Sequence, residues 1–425
     1  MDEKIYNEYL KILNEELLLA MGCTEPIAVA YAAALARKTL GSIPARVDIF
    51  ASANIIKNVK SVVVPHTNGL RGLSAAAAAG IIAGDADAAL QVISDVSEHQ
   101  MAQIKSYLDS ASISVKQSKK PYIFDIKVKL ISQEHSASVE IAGHHTNVIS
   151  IKKDGKKIFS KHYAEEESAD VSDRSLLNVE DIVKFADCVK IEELKPLLQR
   201  QIDCNMAIAK EGLRGNYGAN IGKILLRAYG DNVHNRAKAY AAAGSDARMN
   251  GCELPVVINS GSGNQGLTAS LPVIIYAEEL KSSADELYRA LIVSNLITIH
   301  MKTGIGRLSA YCGATSAGCG AGAGICYLYG GRFREIAHTV VNAVAINSGM
   351  ICDGAKASCA AKIASAVEAG LLGMQMQKNN SQFYGGDGII VKGVENTIRN
   401  IGELAKRGMC DTDRTIIQLM TSEHK

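Results

Sequence analysis

The chain has 425 residues, 47% hydrophobic and 21% charged, with a formal net charge of +2. That length suffices for two or three ordinary domains, or one large core with an added lobe, and so even a charge balance removes the electrostatic case for nucleic acid binding. No stretch has the length and freedom from charge of a membrane span, and the acidic, amphipathic start lacks the basic and apolar regions of a signal peptide, so a cytoplasmic protein with no membrane partner is expected.

In chain order, residues 4–20 carry apolar positions at helical spacing. "MGCTEPIA" (21–28) interrupts them, and Pro26 suits the first turn of a following helix over 25–39. "RVDIF" (46–50) and "SVVVP" (61–65) read as short strands, "PHTNGLRG" (65–72) as a turn, and the Ala-rich 73–110 as helix. From 111 to about 160 the pattern alternates and is rich in Val and Ile, which predicts an antiparallel sheet of about four strands with a solvated lysine face. The acidic "YAEEESADVSDRSLLNVED" (163–181) reads as a linker. Beyond it nearly everything is helical: 178–187, 191–229, 233–247, 267–280, 284–300, 306–329, 333–348, 357–376, 391–407 and 413–422, broken by the strand-like, then Gly-rich "PVVINSGSGNQG" (255–266). The expected fold is α+β, with a mixed α/β lobe over 1–175 holding a small antiparallel sheet and a larger all-helical domain over 176–425. Its 37 glycines, in runs such as "CGAGAG", suit close helix packing or loops wrapped round a ligand. They also allow tight subunit packing, so a homo-oligomer is expected.

Ten cysteines without a secretory context are not a disulfide framework. Cys312, Cys319 and Cys326 recur every seven residues, which is either a small-residue packing stripe or a ligand set. Cys352 and Cys359 flank the loop-like "DGAKAS" between two apolar helices. They lack the tight C-x2-4-C spacing usual for zinc, whereas thiols from separate elements suit an iron–sulfur cluster. Cys23 sits before a helix, where N–H groups and the dipole favour a thiolate; alternatively Thr24 caps, Glu25 suits the first turn and Cys23 fills space. "PHTNGLRG" and "NSGSGNQG" (259–266) are either tight turns or anion nests of consecutive N–H groups; neither is a Walker loop. There is no G-x-S-x-G elbow for Ser-His-Asp chemistry. His144 and His145 fall in a turn of the strand lobe, and His300 near a helix end.

Together, "MGCTEPIA", "SGSGNQG" (260–266), "YCGATSAGCGAGAGI" (311–325) and "MICDGAKASCA" (350–360) resemble the L-cysteine desulfidases, relatives of the iron–sulfur L-serine dehydratases, over nearly the whole chain and in the same order. The spacing from Cys352 to Cys359 favours the desulfidase branch. The resemblance implies a [4Fe–4S] cluster held by Cys312, Cys352 and Cys359, with one iron left to act as a Lewis acid on a soft thiolate leaving group. It implies α,β-elimination of L-cysteine, with an amino acid as the small-molecule partner. Cys23 is then the general base or an occasional fourth ligand. Thr24 and Glu25, with the two nests (His66, Thr67, Asn68; Ser260, Gly261, Ser262, Gly263, Asn264), hold the substrate. Cys188, Cys204, Cys252 and Cys410 remain structural. The rival readings are the same cluster acting on L-serine, and an amino-acid or cluster sensor without turnover.

Overall fold

A computed structural model describes residues 1–120, 122–163, 172–306 and 309–421. The protein is α+β, as expected. The N-terminal part runs α1 (Glu3–Glu16), β1 (Leu19–Met21), α2 (Thr24–Leu40), β2 (Arg46–Ala51), α3 (Ala53–Val59), α4 (Gly72–Ala83), α5 (Glu98–Ser110), then strands β3 (Ser112–Gln117), β4 (Asp125–Ile131), β5 (Ser136–Ala142), β6 (Val148–Lys153) and β7 (Lys156–Ser160).

The strands form one six-stranded sheet in the order β3-β2-β4-β5-β6-β7. It is larger than the four-stranded sheet expected and not wholly antiparallel, because β2 and β3 pair in parallel. The helices α3 to α5 supply the crossover that a parallel pair requires. Val128, Leu130, Val139 and Ile141 on one face of the sheet bury against the Ala-rich α2, on which the Ala-rich α4 packs in turn.

Three local expectations fail for identifiable reasons. The segment 61–65 is no strand: Val64 N–H bonds Leu70 O and Val63 bridges Arg71, so it closes a turn. The run 73–110 is two helices, because Gly84 is extended and Ser97 with Gln100 builds a fresh capping box for α5. The first helix stops at Glu16, and Leu19–Met21 pairs instead with residues more than two hundred positions away.

The remainder runs α6 (Val179–Cys188), α7 (Lys195–Arg214), α8 (Ile221–Tyr229), α9 (Val233–Met249), β8 (Pro255–Val257), α10 (Gly263–Leu280), α11 (Ala284–Ile305), α12 (Gly313–Leu328), α13 (Phe333–Ile346), α14 (Cys359–Lys378), α15 (Val394–Glu403) and α16 (Cys410–Thr421). The helix expected over 191–229 splits at "GNYGAN", where Gly218 and Asn220 take positive φ. Much of the linker expected at 163–181 lies outside the described residues.

Helix α12 is buried all round. Its glycines let neighbours approach at backbone distance: a Cβ on Gly318 would lie 2.2 Å from Ala366 O on α14, and one on Gly320 2.5 Å from Ser294 O on α11. Helix α1 joins this helical core through Tyr9, Ile12, Leu13 and Leu17, and β1 pairs antiparallel with β8. The N-terminal segment is therefore stitched into the helical part, and the start of α2 hangs beside the loop that follows β8.

Candidate active site

A cavity of about 120 Å³ opens where the sheet lobe meets the helical part. Allowing some 10–15 Å³ per water, it takes roughly ten waters, a volume for a small metabolite rather than a polymer. Nine separate stretches of chain line it: the start of α2, α3, Phe124 just before β4, the β5–β6 turn, the end of α9, the 260–265 loop, the end of α11, residues 309–314 leading into α12, and the 352–363 segment.

Three of the lining cysteines arrive as follows. Tyr311 and Ile351 form an antiparallel bridge, with Cys312 N–H on Met350 O at 2.9 Å and Cys352 N–H on Ala310 O at 2.7 Å. That short ladder sets Cys312 beside Cys352. Cys312 is also the N-cap of α12, and Cys359 is the first residue of α14. Because α12 and α14 pack through Gly318, Gly322 and Gly370, their N-termini meet at one end. Between Cys352 and Cys359, Gly354 takes φ +90°, and a Cβ there would stand 2.3 Å from Lys57 O. This glycine fits a left-handed turn against α3 that a side chain would block.

The three thiols are half-buried because they face the cavity rather than the outer surface. Cys312 and Cys352 share a hydrogen bond. That bond, with the charges of Lys57 and Lys302 and the Gly354 N–H, outweighs burial and holds Cys352 below the ordinary thiol range, while the same bond and burial drive Cys312 well up. The two thiols therefore titrate as a pair, and the hydrogen bond between them favours one shared proton. Burial raises Cys359, whose Sγ lies 3.8 Å from Gly354 O.

Cys23 is the N-cap of α2, yet 1% exposed, with its Sγ 3.7 Å from Met249 Sδ. Burial pushes its thiol up to about 12 against the pull of Arg248. Here desolvation outweighs the helix-start effect expected from the sequence.

Of the residues singled out from sequence, the cavity wall takes Cys23, Glu25, Ser260, Gly261, Ser262, Asn264, Cys312, Cys352 and Cys359. Thr24 sits just behind, its hydroxyl bonding Gly261 O at 3.3 Å and Glu25 Oε2 at 3.2 Å, which ties the GCTEP turn to the Gly-rich loop. The His66–Asn68 turn is off the wall. His66 Nδ1 pairs with Glu253, Thr67 donates to Val64 O, and Asn68 takes positive φ. It buttresses the site instead: Gly22, at φ +57°, packs on Pro65, where a Cβ would come within 2.4 Å of the ring. Gly263 opens α10 against the Arg248 guanidinium. Cys319 and Cys326 are buried in the helical core, and Cys188, Cys204, Cys252 and Cys410 stay off the wall.

Several wall residues were not anticipated: Lys57 and Asn58 from α3, His145 from the β5–β6 turn, Arg248 from the end of α9, Gln265, Lys302 and Lys362. Lys57 is 2% exposed and pairs with Asp413 of α16; Lys362 bonds Asp353 Oδ1 and Ile351 O, each at 2.6 Å. Asn58 donates to Glu25 Oε1 at 3.2 Å. The Gly-rich loop rests on a buried amide network. Ser260 Oγ donates to Asn259 Oδ1, Asn259 donates to Asn295 Oδ1, and Asn295 and Gln201 exchange two bonds.

For a single metal ion the donors are too dispersed: among the described residues no three His, Cys, Asp or Glu side chains stand close enough together. Three thiols from separate elements around one cavity are instead the donor chemistry of an iron–sulfur cluster, which spreads its ligands over several irons.

Comparison with known families places the protein. Residues 87–418 match the serine dehydratase alpha chain model, so the chain belongs to that family of serine dehydratase-like lyases. Its near relatives carry the name UPF0597 protein. That of Desulfitobacterium hafniense, DSY1109, is 58% identical over 99% of this chain and 98% of its own. Those of Lachnoclostridium phytofermentans and Actinobacillus pleuropneumoniae are 49% and 38% identical over 98% and 97% of this chain, and over 100% and 96% of their own. Among the described residues no helix is long and apolar enough to cross a membrane.

Proposed function

We propose that the protein is an iron–sulfur-dependent lyase that eliminates the β-substituent of an α-amino acid, with L-cysteine as substrate and sulfide, pyruvate and ammonia as products. The observation that carries this reading is that Cys312, Cys352 and Cys359 line the one cavity also lined by Cys23 and the 260–264 loop.

Cys312, Cys352 and Cys359 would hold a [4Fe–4S] cluster, which when bound supplies a Lewis-acid iron for the leaving group. The rest falls to the chain's own side chains. Glu25, steadied by Thr24 and Asn58, receives the substrate ammonium. The Ser260–Asn264 loop and the first turn of α10 receive the carboxylate, since Ser262 makes no cap bond to that turn. Cys23 takes the Cα proton; its thiolate is opposed by burial and favoured by Arg248. In the elimination one C–H and one C–S bond break and a C=C bond forms. The resulting aminoacrylate adds water and loses ammonia to give pyruvate. The family's name favours the same chemistry on L-serine, with hydroxide leaving.

The test is anaerobic. The protein is reconstituted with iron and sulfide, and sulfide and pyruvate are assayed from L-cysteine with L-serine in parallel. Equal sulfide and pyruvate, abolished by Cys352→Ala, is the expected result. Pyruvate from L-serine alone would leave the elimination and remove the substrate. A bound cluster with no product from either would overturn the reading in favour of a sensor.

A further inference from the structure

We infer that Arg248 is the carboxylate anchor of this site, and that it makes the site selective for amino acids with a free carboxylate over their amides. The inference rests on the reading above only in taking the ligand to be an amino acid.

Arg248 ends α9 and is 3% exposed, yet it lines the cavity. Its hydrogen bond is Nη1 to Asn264 Oδ1, at 3.2 Å. The Nε–H is buried with no acceptor, and among the described residues no carboxylate lies within ion-pairing distance of the guanidinium. The other cavity cations differ. Lys57 is committed to Asp413 and Lys362 to Asp353, and the charge of Lys302 is felt at Cys352 among the thiols.

A buried guanidinium without a counter-charge is costly unless an anion arrives to pair with it. Its surroundings favour one. Gly263, the first residue of α10, lies directly on it, since a Cβ there would fall 2.2 Å from Nε and 2.7 Å from Cζ. The guanidinium therefore stands at the N-terminus of an 18-residue helix that has no side-chain cap. Ser260 and Gly261 take positive φ there and turn the loop round the same spot. Planar N–H donors beside free helix-start N–H groups match a carboxylate. Asn264 fixes the guanidinium from the side.

The experiment uses L-alanine, which has the amino acid head group and no leaving group, against L-alaninamide. Both are titrated calorimetrically into the full-length protein, prepared anaerobically with its cluster. The wild type is expected to bind L-alanine at least about tenfold more tightly than the amide. Arg248→Met is expected to reduce that preference below about threefold, and Arg248→Lys to keep part of it. In turnover, Arg248→Met should raise KM through the lost carboxylate contact and also lower kcat, because Arg248 favours the Cys23 thiolate. Should Arg248→Met fail to fold, the same comparison is made on Gly263→Ala, whose Cβ displaces the guanidinium without removing its charge. A wild type that binds no L-alanine, or does not discriminate, overturns the inference; so does discrimination that survives in the variant read. Intact, Arg248-dependent discrimination in a protein that releases no pyruvate supports the anchor and sinks the lyase reading alone.

Discussion

Asp246 offers a sharp test of how burial and charge are balanced beneath the site. It lies on α9, 1% exposed, its Oδ2 accepting Gly222 N–H at 3.3 Å while Oδ1 is buried without a donor. Burial, opposed by backbone N–H groups of Gly222, Ile221 and Ala219, pushes its carboxyl from 3.8 up to about 6. A folded value above the unfolded one means the native state holds the proton more tightly between the two. Stability therefore falls as pH rises from about 4 to about 6 and stays lower above that. At 1.36 kcal/mol per pH unit, the rise corresponds to about 3 kcal/mol at neutral pH. Asp246→Asn removes the ionisation and retains an acceptor for the Gly222 N–H. It is expected to match the wild type near pH 4 and to exceed it by about 1–3 kcal/mol at pH 7.5, the lower figure allowing for weaker bonds to a neutral amide. Urea midpoints of both proteins at pH 4.5, 5.5, 6.5 and 7.5 measure this. A difference that does not grow with pH, or a variant weaker at pH 7.5, would refute the reasoning.

Four further outcomes follow from named contacts. Gly370→Ala puts a Cβ 2.1 Å from Gly318 O, so α12 and α14 must separate; the expected cost is about 1–3 kcal/mol in denaturant melts. The same variant should lose iron on reconstitution, because these helices start at Cys312 and Cys359, and full iron retention would count against that link. Lys57→Met strands Asp413, whose side chain is 17% exposed, and should cost about 3 kcal/mol, measurable by the same melts; a loss below about 1 kcal/mol would show that α16 does not depend on this pair. Glu368 is held down to about 2, chiefly by His234 and then Lys238. Its contribution is present above pH 4.5 and lost as pH falls through about 2, but at 44% exposed it is screened to under about 1 kcal/mol, so Glu368→Gln should shift the midpoint slightly at pH 7 and by less at pH 2.5.

What could be read from the sequence was local. Pro26 and Glu25 mark the start of α2, alternating Val and Ile mark the sheet strands, and the loop between Cys352 and Cys359 marks the break before α14. The capping box at Ser97–Gln100 was also present as a signal, and would have divided the 73–110 run. The cavity's cations had no such signature. Lys57 is one lysine on a seven-residue helix, and Arg248, near a helix C-terminus, looks like an ordinary partner of the dipole. His145 becomes a wall residue only because the β5–β6 turn reaches across to the helical part. The two Gly-rich turns are indistinguishable as patterns, since positive φ serves equally a turn whose Pro65 packs on Gly22 and a loop that opens onto a cavity. Only tertiary contacts separate them.

The charge around the cavity explains why these scattered residues belong together. Lys57, Arg248, Lys302 and Lys362 line a wall to which the described residues contribute Glu25 as the carboxylate. Two of those cations already have carboxylate partners in Asp413 and Asp353, so the surplus of positive charge is modest. It is also placed in two zones. Lys57 and Lys302 act on the Cys352 thiol, where with the hydrogen bond from Cys312 they offset desolvation and favour its deprotonation. Arg248 stands apart, at the start of α10 and beside Cys23. A site that had only to bind a cluster would need the first zone alone. One that had only to bind an amino acid would need the second. Their meeting in a cavity sized for a small metabolite is what a reaction between a thiolate-held centre and a carboxylate-bearing substrate requires.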